Sequence, residues 1–393
     1  VPFVWMSNNY GRTGLTQTSL RVFGDIPFNP DPDNQPEGSG LTQEINAVDP
    51  DFNFPQTWRA NLAFDYQLPW QNMVVTVEGM WAKSTNEIDF KNLNIQQTGD
   101  FVSFDGRPIY ETVSSDFTGA YYLTNTDKGD AVNYIFKLEK PYTGDFPLWG
   151  SISYAYGDAN VVNDGTSSRA VSNWQYTEAA DPNNVGVSTS DFSVEHRGVI
   201  NLNYELNRQT RWSTVFSVFW THQAGRPWSS IYRGNFPTIN GDGYFSNDLI
   251  YVPTGPDDVV ITNGTWDQLY NYLEQAELTE YAGEIAPRNN TLQPYFTQTD
   301  LSIRQNIPVP GRSALQLSFD IFNLMNLFDE EAGWVRYNNF GTVQPVEYEG
   351  ETDEGLPIYT LRGVITDPDD NPIFQIDTLR SRWRLRLGLR WSF

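Results

Sequence analysis

The sequence predicts an all-β protein: an antiparallel transmembrane β-barrel carrying long extracellular loops. Three observations predict it. The composition is rich in aromatics and poor in charge, the chain repeatedly alternates apolar and polar residues over about ten positions, and its connections are by turns short and long.

Composition sets the bounds. The 393 residues include 13 Trp, 21 Tyr and 24 Phe, but only 19% are charged. With 25 Lys and Arg against 49 Asp and Glu, the formal net charge is −24. That balance argues against a nucleic-acid partner, which needs a basic face to neutralise phosphates. Cysteine is absent, which excludes disulfide scaffolds, thiolate metal sites and cysteine nucleophiles. Apolar runs reach only four residues, as at Phe3-Val4-Trp5-Met6, so no transmembrane helix is predicted. The start, Val1-Pro2-Phe3, has no charged segment leading into an apolar one, and reads as a mature product or a fragment.

Period-two alternation carries the strand assignment. At the end of the chain Trp383, Leu385, Leu387, Leu389, Trp391 and Phe393 alternate with Arg384, Arg386, Gly388, Arg390 and Ser392. A helix would scatter these two sets around its axis, whereas a strand sorts them onto opposite faces. The same pattern places nine strands at 58–68, 73–83, 131–140, 148–157, 196–206, 212–222, 297–307, 313–323 and 380–393. A strand tilted across a hydrocarbon core needs about 9–11 residues, against roughly 5–6 in soluble sheets. Between them, the short connections 69–72, 141–147, 207–211 and 308–312 are rich in Pro, Gly, Asn and Arg. The long ones are 84–130, 158–195, 223–296 and 324–379. Short periplasmic turns and long extracellular loops assign the last strand an inward course and place residues 1–57 largely outside. Nine is an odd count, so either 1–57 holds a further strand or the upstream part of the barrel is absent, with Val1–Asn8 as the outer end of an upstream strand. Trp58, Trp70, Trp81, Trp149, Trp212, Trp220, Trp383 and Trp391 fall at strand ends, where interfacial belts are expected.

Several stretches on these strands and loops carry a resemblance. They are Phe319-Asp320-Ile321-Phe322-Asn323-Leu324-Met325-Asn326 and the terminal Arg384-Leu385-Arg386-Leu387-Gly388-Leu389-Arg390-Trp391-Ser392-Phe393. With them go Asn240-Gly241-Asp242-Gly243 followed by Asn247-Asp248-Leu249-Ile250-Tyr251-Val252-Pro253, Asn29-Pro30-Asp31-Pro32-Asp33-Asn34-Gln35, Asn163-Asp164-Gly165-Thr166-Ser167-Ser168, and Arg288-Asn289-Asn290. Together the chain resembles TonB-dependent outer-membrane receptors, most closely their Oar-like branch. The resemblance implies the C-terminal part of a 22-stranded barrel in the outer membrane of a Gram-negative bacterium. It also implies a plug domain, absent here, an inner-membrane energiser acting through that plug, surface lipoprotein or other accessory subunits, and solute import. The alternative function is a non-transporting barrel serving surface adhesion or secretion-complex assembly.

Four groups of residues carry candidate chemistry. Arg380, Arg382, Arg384, Arg386 and Arg390 alternate with the Leu/Trp positions. An Arg facing lipid at the midplane costs about 2–4 kcal/mol, so this stripe is expected to face the lumen. Asp65, Glu205, Asp300 and Asp320 are its expected acidic partners. Asn240, Asp242 and Asp248 partly match a calcium-binding loop, although Thr238 stands where its first carboxylate belongs and no glutamate closes it. Tyr232, Phe236, Tyr244 and Trp266 are loop aromatics that can stack on sugars or peptides, or equally pack among themselves. Thr265-Trp266-Asp267-Gln268 predicts a capping box opening a helix in the longest loop, whose apolar face is Trp266, Leu269, Tyr270, Leu273 and Ala276 and which Gly283 ends. The two histidines, His196 and His222, lie at adjoining strand ends near Asp191, Ser193 and Glu195, but no nucleophile motif accompanies them, and an enzyme is not expected.

Overall fold

The computed structural model describes residue 31 and residues 43–234, 238–310 and 313–393. The predicted upstream strand at Val1–Asn8, the Asn29–Gln35 stretch apart from Asp31, and Phe236 lie outside these residues.

Nine long strands form one antiparallel wall in sequence order. They are β1 (Gln56–Gln67), β2 (Val74–Asn92), β3 (Asp130–Lys140), β4 (Leu148–Val161), β5 (His196–Leu206), β6 (Thr214–Gln223), β7 (Phe296–Pro308), β8 (Ala314–Phe322) and β9 (Arg384–Ser392). The tight turns joining them use residues that tolerate left-handed backbone: Asn72 has φ 53° and Asn207 φ 55°. Among the described residues β1 pairs only with β2 and β9 only with β8, so the sheet stays open at both edges.

Register decides which residues share a face, because direct cross-strand partners point the same way. One row across β4 to β9 reads Leu148, Tyr204, Phe216, Ile303, Phe319, Leu387. The neighbouring row reads Trp149, Asn203, Ser217, Ser302, Asp320, Arg386, and points to the opposite side. The wall therefore has an apolar and a polar face, and the apolar one is bare: Leu62 is 71% exposed and Leu387 72%. Burying such a side chain is worth about 1.5–3 kcal/mol, a gain that the wall by itself forgoes.

Several features differ from the sequence reading. Strand β2 runs to Asn92 rather than stopping near residue 83, because its outer half finds a second partner in strand Phe117–Thr126. Strand Gln43–Val48 lies parallel to Phe117–Thr126, outside the wall, and so does not supply a tenth wall strand. At the other end β9 begins at Arg384 rather than 380. The preceding residues Thr378–Ser381 form a helical turn, capped by the Asp377 carboxylate, which accepts from the backbone NH groups of Leu379 and Arg380 at 3.0 Å. Trp149 sits on the polar face rather than in an interfacial belt.

The buried cores lie in the long connections. One joins Ile88, Phe90 and Tyr121 to the short helix Ala170–Gln175 through Val171 and Trp174. The larger core packs Trp228, Ile250, Leu269, Leu273, Val346 and Leu361 together. Its helix, Trp266–Gln275, opens with the predicted capping box: Thr265 accepts from the Gln268 backbone NH, and the Gln268 side chain accepts from the Thr265 NH. The buried face is Leu269, Tyr272 and Leu273, while Tyr270 points to solvent. The helix ends at Gln275, with Ala276 as its cap; Gly283 follows a separate turn, Thr279–Tyr281. No helix among the described residues is long and apolar enough to cross a membrane.

Candidate functional site

The polar face of β4 to β9 holds a groove with a volume of about 460 Å³. Its lining combines Asn201, Asn203, Ser217 and Ser302 with Asp300, Arg304, Asp320 and Arg386, and with the rings of Trp149, Phe219 and Phe322. A second depression, about 380 Å³, lies on the apolar face among Leu62, Phe64, Trp81, Tyr134 and Phe136, and offers a polar solute nothing to bind.

Asp320 organises the groove. Its Oδ2 takes both Nε (3.0 Å) and a terminal nitrogen (2.9 Å) of Arg386, while Oδ1 accepts from the Ser302 hydroxyl at 2.6 Å. The Arg386 side chain is largely exposed, so the pair contributes on the order of 0–1 kcal/mol. Arg384 and Arg386 also lie over the Phe322 ring, at 5.6 and 5.2 Å.

The remaining sequence candidates divide between this face and other roles. Arg390 continues the polar face beside Gln316. Arg380 and Arg382 do not, since both precede the strand. Arg380 stacks over Phe296 at 5.3 Å, and Arg382 donates to the Thr378 carbonyl at 2.7 Å. Of the four acidic partners only Asp320 meets an arginine of the stripe. Asp65 accepts from Thr76, Glu205 from the Tyr142 hydroxyl, and Asp300 from the Asn323 backbone NH. Arg304 was missed by the sequence reading. Its signal was present, because Asp300, Ser302, Arg304 and Asn306 alternate on one face of β7.

The suspected calcium loop folds into a buried charge network. Arg107, with a fully buried side chain, bonds Asp105 at 2.8 Å, Asp248 at 3.1 Å and the Leu249 carbonyl at 2.7 Å, and lies 5.5 Å over the Tyr232 ring. Asp242 is buried nearby; its Oδ1 accepts from the Tyr244 NH, and Asn240 Oδ1 accepts from the Asp242 NH. Burial pushes the Asp242 carboxyl up to about 6 and raises that of Asp248 despite Arg107. The cation facing Asp248 is a guanidinium, and no set of three or more His, Asp or Glu among the described residues is placed to hold a metal.

Tyr232 is not available to a solute: it is buried, and its hydroxyl pairs with that of Tyr359 at 2.6 Å. Trp266 packs against the larger core. Tyr244 stacks on Phe245 at 5.8 Å, with Tyr176 set edge-on at 5.8 Å. The two histidines sit on the apolar face with Tyr295 stacked between them, 6.5 Å from His196 and 5.3 Å from His222. His196 contacts the Tyr154 hydroxyl and the Glu195 carboxylate, and His222 contacts Thr297. No hydrogen bond among the described residues joins Ser193 to either ring.

A comparison with protein-family models agrees with this two-faced wall. The family described as outer membrane beta barrel domain matches residues 1–348. No curated protein matches the chain. The match covers most of the chain and accords with an antiparallel wall bare on its apolar face, and the chain belongs to the outer membrane beta barrel domain family.

Proposed function

We propose that the chain is the C-terminal barrel portion of a TonB-dependent outer-membrane transporter that imports a solute. In this reading the bare apolar face meets lipid, the polar face lines a wet interior, the short turns are periplasmic and the long connections extracellular. The observation that carries it is the segregation of side chains across nine consecutive strands: Leu387 and Arg386 are neighbours in sequence, yet belong to apolar and polar rows that each cross six strands. The open edges of β1 and β9 support a larger barrel, because unpaired backbone groups in hydrocarbon cost several kcal/mol each. No catalytic role enters this reading.

The test is uptake. Cells carrying the intact gene are compared with a deletion strain, and with a strain lacking the energiser, by profiling solutes removed from the medium. The reading requires a solute whose uptake falls in both mutants. Unchanged uptake together with loss of a surface partner or a secreted product would replace transport with the docking function.

A further inference from the structure

We infer that the groove on the polar face of β4 to β9 binds a carboxylated saccharide, with Arg304 gripping the carboxylate. The inference rests on the reading of this face as the solute-conducting interior, and it names the class of solute.

The argument starts from which charges are already engaged. Asp320 is held by Arg386 and Ser302, and Asp300 by the Asn323 NH. Arg304 is exposed, and among the described residues no carboxylate oxygen lies within 4.0 Å of it. Arg304 lies near enough to Asp320 to favour its charge but forms no ion pair, so its planar fork of donors is left to water, and that fork is the geometry that takes a carboxylate in two parallel bonds. Its row across the sheet reads Val215, Arg304, Ser318, Gly388. At the far end of that row Gly388 makes room for the Ser318 hydroxyl, which a Cβ there would meet at 2.4 Å.

The neutral lining points to the body of the ligand. Phe219 is 41% exposed although it shares the polar face with Asn201 and Asp300. An aromatic ring left bare on a polar surface suits a flat ligand face built of C–H groups with hydroxyls at its rim. Those hydroxyls have partners at hand. Ser217 donates to Asn203 at 2.7 Å and Asn203 donates to Asn201 at 3.2 Å, which leaves the Asn201 amide NH2 as a donor without an acceptor among the described residues. The volume, about 460 Å³, lies within the roughly 300–1,000 Å³ usual for small-molecule sites. The lining itself is balanced, Asp300 and Asp320 against Arg304 and Arg386, and Glu205 shares Arg304's row two strands away. An acid is favoured only locally, at Arg304 and the flanking Arg384 and Arg390 of β9, because screening over about 8 Å confines each charge to its own neighbourhood.

The experiment is calorimetric titration, in detergent, of the receptor purified from the intact gene with trigalacturonate, using its fully methyl-esterified form as the neutral control. The acid is expected to bind at least tenfold more tightly than the ester. Arg304→Gln is expected to abolish that difference, and Phe219→Ala to weaken acid and ester alike. Near-ultraviolet circular dichroism matching the unsubstituted chain checks that each variant is folded. Absence of acid binding, equal binding of acid and ester, or an Arg304→Gln protein that still prefers the acid would each overturn the inference. So would displacement of the sugar by an acidic peptide that binds more tightly. Binding that persists without any uptake in cells would refute the transport reading while leaving the saccharide site in place.

Discussion

The wall and the packed connections bury opposite things. In the connections, Leu269 is 1% exposed and a charged side chain as large as Arg107 is fully enclosed, as in the interior of a soluble domain. In the wall, Leu387 is 72% exposed and the charged groups line an open groove. One chain therefore answers to two solvents. The connections need a core because water surrounds them, and the wall needs none because its apolar face is a surface for hydrocarbon.

Substitutions that are alike in chemistry and differ in place break or sharpen this contrast. The largest effect belongs to Arg107→Met, which strands the buried carboxylates of Asp105 and Asp248; it is expected to cost about 3–5 kcal/mol, read as protease cleavage within 93–116 and 238–250 while the strands stay protected. Leu387→Arg should cost about 2–4 kcal/mol of barrel stability in lipid, measured by reversible unfolding from vesicles, whereas the reciprocal Arg386→Leu should cost far less. A Leu387→Arg protein as stable as its parent would show that this face does not meet lipid. Thr265→Ala removes the helix cap, at about 1 kcal/mol, and should speed amide exchange in the first turn of Trp266–Gln275 alone. The smallest effect is Arg386→Gln, below about 1 kcal/mol because the pair with Asp320 stands in solvent.

The connections should also respond to pH. Burial raises the Asp242 carboxyl from its ordinary 3.8 to about 6, and Asp248 and Glu178 move in the same direction. A carboxyl whose folded value lies above its unfolded one binds its proton more tightly in the folded state, so raising the pH weakens the fold. For Asp242 the loss falls between about pH 4 and pH 6. Protease resistance of these connections should therefore be greater at pH 5 than at pH 7.5, and Asp242→Asn should reduce that difference.

Much of this was legible in the residues. The nine wall strands, their order and the two faces follow from alternation, as does the placement of Arg384, Arg386 and Arg390 opposite Leu385, Leu387 and Leu389. The capping box of Thr265 and Gln268 was equally readable, since its four residues are adjacent. The errors came where a contact outside the strand ladder decided. Arg380 and Arg382 keep the period of β9, but the Asp377 cap winds Thr378–Ser381 into a helical turn that takes Arg380 and ends at Arg382. Asp242 and Asp248 look like ion ligands until Arg107 arrives from a hairpin more than a hundred positions away. Tyr232 looks like a loop aromatic until Tyr359 closes over it.

Local alternation determined which segments are strands and which side chains share a face, because a period of two repeats within the reach of the strand's own backbone. Tertiary structure alone decided the groove around Asp320 and Arg304, the enclosure of Arg107 and the core on which Trp266–Gln275 rests. Each depends on side chains that lie far apart along the chain, and burial and charge pairing act through space rather than along the sequence.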